Sequence, residues 1–187
     1  MYQQIIDRFY SENTALRRIL LDHSKAVADK AIAIAKARPD LCVDEQFVYE
    51  AAMLHDIGII LCDAPGIECY GTEPYIRHGM LGARMLREYA AENGIPANQI
   101  EPYARVCERH TGAGLTACEI RKQQLPLPEV DMLPETLEER LICYADKFFS
   151  KTRPSAEKPM DRVEVSMRKF GEDTLRRFNE LKTLFQK

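Results

Sequence analysis

The sequence predicts an all-α domain, and three observations predict it. Apolar residues recur at spacings of three and four along most of the chain, the period of one helix face. Residues that start and stop helices punctuate this pattern at intervals suited to single helices. No segment alternates apolar with polar residues as a half-buried strand does, and no internal repeat is present.

The elements follow in order. "TALRRIL" predicts a first helix and "DHSKAVADKAIAIAKARPD" a second, with His23, Val27, Ala31 and Ile34 on one stripe and Pro39 as its stop. "DEQFVYEAAMLHDIG" predicts a third, opened by Asp44 and closed by Gly58, with Val48, Ala51, Ala52 and His55 on one face. The prolines and glycines of "CDAPGIECYGTEP" mark a loop. Pro74 suits the first turn of a helix through "YIRHGMLGARMLREYAAENG", where His78, Leu81, Gly82, Met85 and Leu86 share a face. "NQIEPYARVCERHTGAG" predicts another helix, aligning Tyr103, Val106, Cys107 and His110. "TACEIRKQ" opens with a capping box, Thr116 and Glu119. A proline-rich connector, "LPLPEVDMLP", leads into the helix of "ETLEERLICYADKFFSKT", and two helical stretches complete the chain.

The bulk numbers set bounds. A chain of 187 residues suits one domain, and 45% apolar with 29% charged residues suits a real core. We expect a metal-binding domain over residues 1–152 and a helical extension over 153–187 packed on it. A net charge of −3 argues against a general nucleic-acid binder. The N-terminus carries early charges without a secretory pattern, and no apolar run is long enough for a membrane span. The six cysteines contain no CxxC pair, which excludes a zinc ribbon and fits reduced thiols in the cytoplasm.

The four histidines, His23, His55, His78 and His110, each fall on the inward stripe of a different predicted helix. Asp56 follows His55 directly, and Asp146 sits inside the apolar stretch "LICYADKFF". Buried imidazoles and carboxylates are costly unless something pairs with them, and metal coordination turns each from a penalty into a bond. Imidazole with carboxylate suits Fe, Mn, Zn or Co rather than Ca or Mg. Neighbours on a helix point about 100° apart, but at a helix end His55 and Asp56 can straddle one point, where a carboxylate can bridge. Six ligands are too many for one open catalytic ion and suit two.

The ordered set of His23, "HDIG" at 55–58 and Asp146 in "YADK" resembles the HD-domain superfamily of metal-dependent phosphohydrolases, in its HDIG subgroup. The resemblance spans roughly residues 15 to 152. It implies an all-α domain with a metal held by His23, His55, Asp56 and Asp146, and with His78 and His110 as the further ligands of members that hold two ions. It also implies hydrolysis of a nucleotide or other small phosphate ester, with Asp56 and His55 as the candidate catalytic pair. The sequence lacks the GYP signature and the lysine after HDIG of cyclic-dinucleotide phosphodiesterases. Donors for the charge developing on a phosphoryl group are sought in Arg77, Arg109, Lys147 and the "HTGAG" turn, through Thr111, Gly112 and Gly114. Two alternatives share the ligand set: an HD-fold di-iron oxygenase acting on a small polar substrate, and a ligand-sensing module without catalysis.

Overall fold

The structure, a computed structural model, describes residues 1–12, 14–154 and 156–186. Tyr2–Phe9 forms α1 and buries Ile5 and Ile6, a helix that the charges of this segment concealed. Ala15–Ala37 forms α2 as one continuous helix, where the sequence suggested two. No glycine or proline interrupts it, and Thr14 caps its start by accepting a hydrogen bond from the Arg17 amide. Glu45–Leu54 forms α3, capped by Asp44, which accepts from the Phe47 amide at 3.0 Å.

The third helix ends before Gly58 rather than at it. After Leu54 the chain tightens into a 3-10 turn over Ile57–Leu61. The expected loop that follows holds a small sheet: β1 (Cys62–Ala64) pairs antiparallel with β2 (Cys69–Tyr70) and parallel with β3 (Glu73–Pro74). Strands of two and three residues are too short to display an alternating pattern, so the turn residues dominated the reading. Pro74 closes β3 instead of opening a helix. A 3-10 turn over Tyr75–Arg77 intervenes before α4 (His78–Glu92).

The remaining helices are α5 (Ala97–Arg109), α6 (Ala117–Lys122), α7 (Leu137–Asp146), α8 (Met160–Lys169) and α9 (Glu172–Phe185). The Thr116–Glu119 capping box is formed in full. The core runs between α2, α3, α4, α5 and α7 through Leu20, Val27, Leu54, Leu81, Leu86, Ile100 and Ile142. The C-terminal helices pack on this body: Tyr144 of α7 stacks on Phe178 of α9 at 5.5 Å, and Arg38 donates to the Leu184 carbonyl. No helix among the described residues is long and apolar enough to cross a membrane.

Two glycines let backbones approach where the histidines must meet. A Cβ on Gly79 of α4 would lie 2.3 Å from the Cys107 carbonyl oxygen of α5. A Cβ on Gly58 would lie 2.2 Å from the His78 carbonyl oxygen and 2.4 Å from the Gly82 amide nitrogen. These contacts are with backbone, which cannot rotate away as a side chain can. We expect Gly79→Ala to cost about 1–3 kcal/mol by overpacking, a fall in Tm of roughly 2–12 °C for a chain of this size. Gly66→Ala, whose Cβ meets nothing within 4 Å, is the control in thermal unfolding. Equal Tm values for the two variants would show that the close approach is not needed.

Candidate metal centre

Each side chain of the candidate site arrives from a helix end or a helix face that the fold fixes. His23 projects from the middle of α2. His55 and Asp56 follow α3, with Asp56 at φ −105° and ψ 10°, the sparsely populated bridge region common at active sites. Tyr10 supports this bend from below: its hydroxyl donates to the Ile57 carbonyl at 2.8 Å and accepts from the Ile60 amide at 3.2 Å. His78 is the first residue of α4, His110 caps the end of α5, and Asp146 ends α7.

The six converge. Asp56 turns its two oxygens toward two pairs of imidazoles. Its Oδ2 lies 3.1 Å from His23 Nε2 and 3.0 Å from His55 Nε2. Its Oδ1 lies 3.4 Å from His78 Nε2 and 3.5 Å from His110 Nε2. Asp146 Oδ1 completes the first group at 3.0 Å from His23 Nε2 and 3.5 Å from His55 Nε2. The result is two ligand clusters, His23–His55–Asp56–Asp146 and Asp56–His78–His110, that share Asp56. The four histidines and Asp56 are all 5% exposed or less.

The hydrogen bonds on the far side of three rings decide what the near side offers. His55, His78 and His110 each point Nδ1 at the backbone carbonyl three residues earlier, Ala52, Tyr75 and Cys107, at 2.6, 2.7 and 2.8 Å. A carbonyl only accepts, so each Nδ1 carries a proton and Nε2 is the nitrogen left to bind at the centre, once His55 has given up its second proton. This is the usual support of a metal-binding imidazole. His78 Nε2 and His110 Nε2 stand 3.0 Å apart, and two lone pairs at that distance repel unless a cation or a proton lies between them. His55 Nε2 and both oxygens of Asp56 are buried without a hydrogen bond. The donor set therefore fits divalent metal ions.

Electrostatics within the ion-free chain agree. Burial disfavours the charge of His55, but Asp56 and Asp146 outweigh it and lift its pKa to about 9. Burial and the neighbouring His110 push His78 down to about 3, so its Nε2 lone pair is free. Burial raises the Asp56 carboxyl, yet His55 and Lys151 more than compensate and hold it well below the usual carboxylate range.

The other expected residues divide. Lys147 donates to Asp146 Oδ2 at 2.6 Å and to the His110 carbonyl at 2.7 Å, and so tethers one cluster to the other instead of standing free for a ligand. Arg77 and Arg109 do not line the cleft that reaches the cluster. Arg77 is paired with Glu73, and Arg109 with Glu135 and Glu139 at 2.9 and 3.2 Å. Gly112 and Gly114 adopt φ values of 61° and 80°, and the Gly114 amide donates within the turn to the Thr111 carbonyl. The carbonyls of Ala113 and Gly114 accept from Arg177 of α9 at 3.2 and 3.0 Å, so the turn anchors the C-terminal helix.

Sequence reasoning missed the residues at the mouth. Lys151, in the turn after α7, brings Nζ to 2.6 Å from Asp56 Oδ2 with its side chain 12% exposed. Tyr75 stacks on His78, ring centres 4.7 Å apart and planes 22° apart. Together with His23, Asp146, Phe149, Lys158 and Phe170 they line a cleft of ≈ 490 Å³. In sequence Lys151 reads as one more charge in "FFSKT", and only the turn that folds it back under α7 gives it a role.

Loading the ion-free chain with Zn(II) at pH 7 is expected to release about one proton, because His55 must lose its proton to bind and its pKa stands at about 9. The sign follows: affinity strengthens as pH rises toward 9 and weakens below it. Calorimetry in two buffers of different ionisation enthalpy measures the release, and identical apparent enthalpies would contradict it.

The comparisons agree with this geometry. The HD domain family matches residues 20–150. An uncharacterized protein of Methanocaldococcus jannaschii is 33% identical over 151 residues, covering 80% of this chain and 73% of that protein. A protein of Picrophilus torridus named tRNA (cytidine(56)-2'-O)-methyltransferase is 32% identical over 135 residues, 72% of this chain and 33% of its own length. Its namesake in Thermoplasma volcanium is 31% identical over 131 residues, 70% of this chain and 32% of its own length. The chain thus spans about a third of these two methyltransferases. No solved structure matches the chain.

Proposed function

The chain belongs to the HD-domain family, and from that premise we propose that it is a metal-dependent phosphohydrolase acting on a nucleotide or another small phosphate ester. One observation carries the reading: a single carboxylate, Asp56, divides its oxygens between two imidazole pairs, with a lysine ammonium beside it at the mouth of a cleft. Methyl transfer, the activity in the names of two relatives, belongs to chains about twice as long, of which the match covers a third. The buried imidazoles and carboxylates here have the chemistry of cation binding and give no support to methyl transfer.

A divalent ion held by these residues supplies Lewis acidity, bringing the pKa of water toward neutrality and polarising a phosphoryl oxygen. The protein does the rest. His23, His55 and Asp146 define one ligand group, and His78 and His110 the other. Asp56 accepts a hydrogen bond from the attacking water and keeps the two groups in register. Lys147 fixes Asp146 against the His110 carbonyl. Burial disfavours the Lys151 charge, but Asp56, Tyr75 and Asp146 outweigh it and keep the ammonium protonated, a donor for charge developing on the phosphoryl oxygens. Two ions drawn from Fe, Mn, Zn and Co match the two clusters around Asp56. A reducing, cytoplasmic setting belongs to the same proposal, since all six cysteines are free thiols.

The test is phosphate release under argon by protein loaded with Fe(II) or Mn(II), against mononucleotides, dinucleoside polyphosphates and simple phosphomonoesters. Release without oxygen supports the hydrolase. Turnover that starts only in air would transfer the site to the oxygenase chemistry that the same ligand set can support. Asp56→Asn is expected to lower kcat by more than the about 10–100-fold that outer partners of metal ligands cost. Metal content should fall with it while the far-ultraviolet helical signal stays. Full activity in this variant would remove Asp56 from the mechanism.

A further inference from the structure

Past the residues that match the family, beyond Lys151 and Thr152 of the turn after α7, the chain brings two more side chains to the mouth of the cleft: Lys158, just before α8, and Phe170, at the end of α8. Lys158 is anchored by its amide, which donates to the Phe148 carbonyl at 2.7 Å. Its side chain is half-buried, and among the described residues no carboxylate pairs with its ammonium. A cation held partly out of water beside Lys147 and Lys151, with Asp146 acting on it only from beyond ion-pair distance, is unfavourable, and an anionic ligand offsets that cost. The ammonium lines the same cleft as Lys151, so two positive charges face one space beside the metal cluster.

Phe170 supplies the complementary surface. Its side chain is 44% exposed, and it makes no ring contact among the described residues, unlike Tyr144, which stacks with Phe148, Phe178 and Phe185. Gly171, at φ 119°, turns the chain out of α8 directly after it and leaves the ring on the corner. A lone exposed aromatic needs no explanation in general. This one lines the cleft that also contains His23 and Asp146, with Phe149 and Ile67 as further apolar wall. A space of ≈ 490 Å³ lies within the range of small-molecule sites.

We propose that Lys158 and Phe170 form a nucleotide-selective subsite, the ammonium taking a phosphate oxygen and the phenyl ring stacking on the base. The C-terminal extension then sets which phosphate ester is used, while the family's helices supply the chemistry. The inference rests on the phosphohydrolase reading for turnover, but its binding claim stands separately.

The chain contains no tryptophan, which makes Phe170→Trp a direct probe. With Zn(II)-loaded F170W, adenosine monophosphate is expected to quench the indole fluorescence, and ribose 5-phosphate, which lacks the base, is not. Ribose 5-phosphate should still displace adenosine monophosphate, because both use the lysines. In Phe170→Ala the ratio of kcat/KM for adenosine monophosphate over ribose 5-phosphate should fall about tenfold, as expected for loss of one base–aromatic stack. Lys158→Gln should weaken both compounds by similar factors. Selective quenching, with no phosphate release from these two compounds or from the wider panel by Fe(II)- or Mn(II)-loaded protein, would leave the subsite standing and sink the hydrolase. Release from both, with no quenching in F170W and an unchanged ratio in F170A, would overturn the subsite and leave the hydrolase.

Discussion

The sharing of one buried carboxylate between two pairs of imidazoles is the constraint on which the rest of the structure depends. Asp56 lies within 3.5 Å of all four histidines through its two oxygens. Such a group cannot be a passive core residue, since its buried oxygens meet only imidazole nitrogens and one ammonium, that of Lys151 at 2.6 Å. The surrounding helices are arranged so that five of them end or cross at this one point. Removing the reason for the cluster leaves a core with several unpaired polar groups, which a domain of this size would hardly tolerate.

The delivery of these side chains is a backbone problem. His78 and His110 bring their Nε2 atoms to 3.0 Å only because α4 lies almost in contact with α5 at Gly79. His55 and Asp56 reach the centre because α3 stops at Leu54 and tightens into a 3-10 turn held by the Tyr10 hydroxyl. The Nδ1 hydrogen bonds to carbonyls three residues earlier then fix the tautomer of three rings. Ring orientation, proton position and helix ending are thus one feature seen at three scales. Preorganisation of this kind keeps the ligands in place before any ion arrives.

Outside the cluster the charges separate into two classes. Arg77, Arg105, Arg109 and Arg177 are consumed by carboxylates: Arg109 lies against the buried Glu139, and Arg177 against Glu119 of the capping box. The pairs of Arg105, Arg109 and Arg177 tie α5 to α7 and α9 to α6, while Arg77 pairs locally with Glu73, and none of the four lines the cleft. Lys151 and Lys158 instead face the cleft. A chain with a net charge of −3 therefore presents local positive charge at the mouth of the cleft, and short-range placement outweighs the overall sign because screening confines surface electrostatics to about 8–10 Å.

Much was legible in the sequence. The helical period marked the inward faces, and the burial of His23, Val27, Val48, Ala51, Leu81, Leu86, Val106 and Cys107 follows it. The capping residues Asp44 and Thr116 set helix starts by purely local hydrogen bonds, which is why such signals can be read one residue at a time. Four histidines and two carboxylates on apolar faces were enough to indicate a metal cluster, since burial and polarity conflict wherever the partners are. What the sequence could not determine depends on contacts between distant segments. The roles of Lys151, Lys158, Tyr10 and Phe170 arise from turns and crossings that bring residues tens of positions apart together. The arginines beside His78 and His110 in sequence went to Glu73, Glu135 and Glu139 instead, because adjacency along a helix says nothing about the far end of a long side chain. Sequence alone marked the six candidate ligands. Only the tertiary structure decided which oxygen of Asp56 meets which histidine and which cations guard the entrance, because both are set by how close two backbones can come.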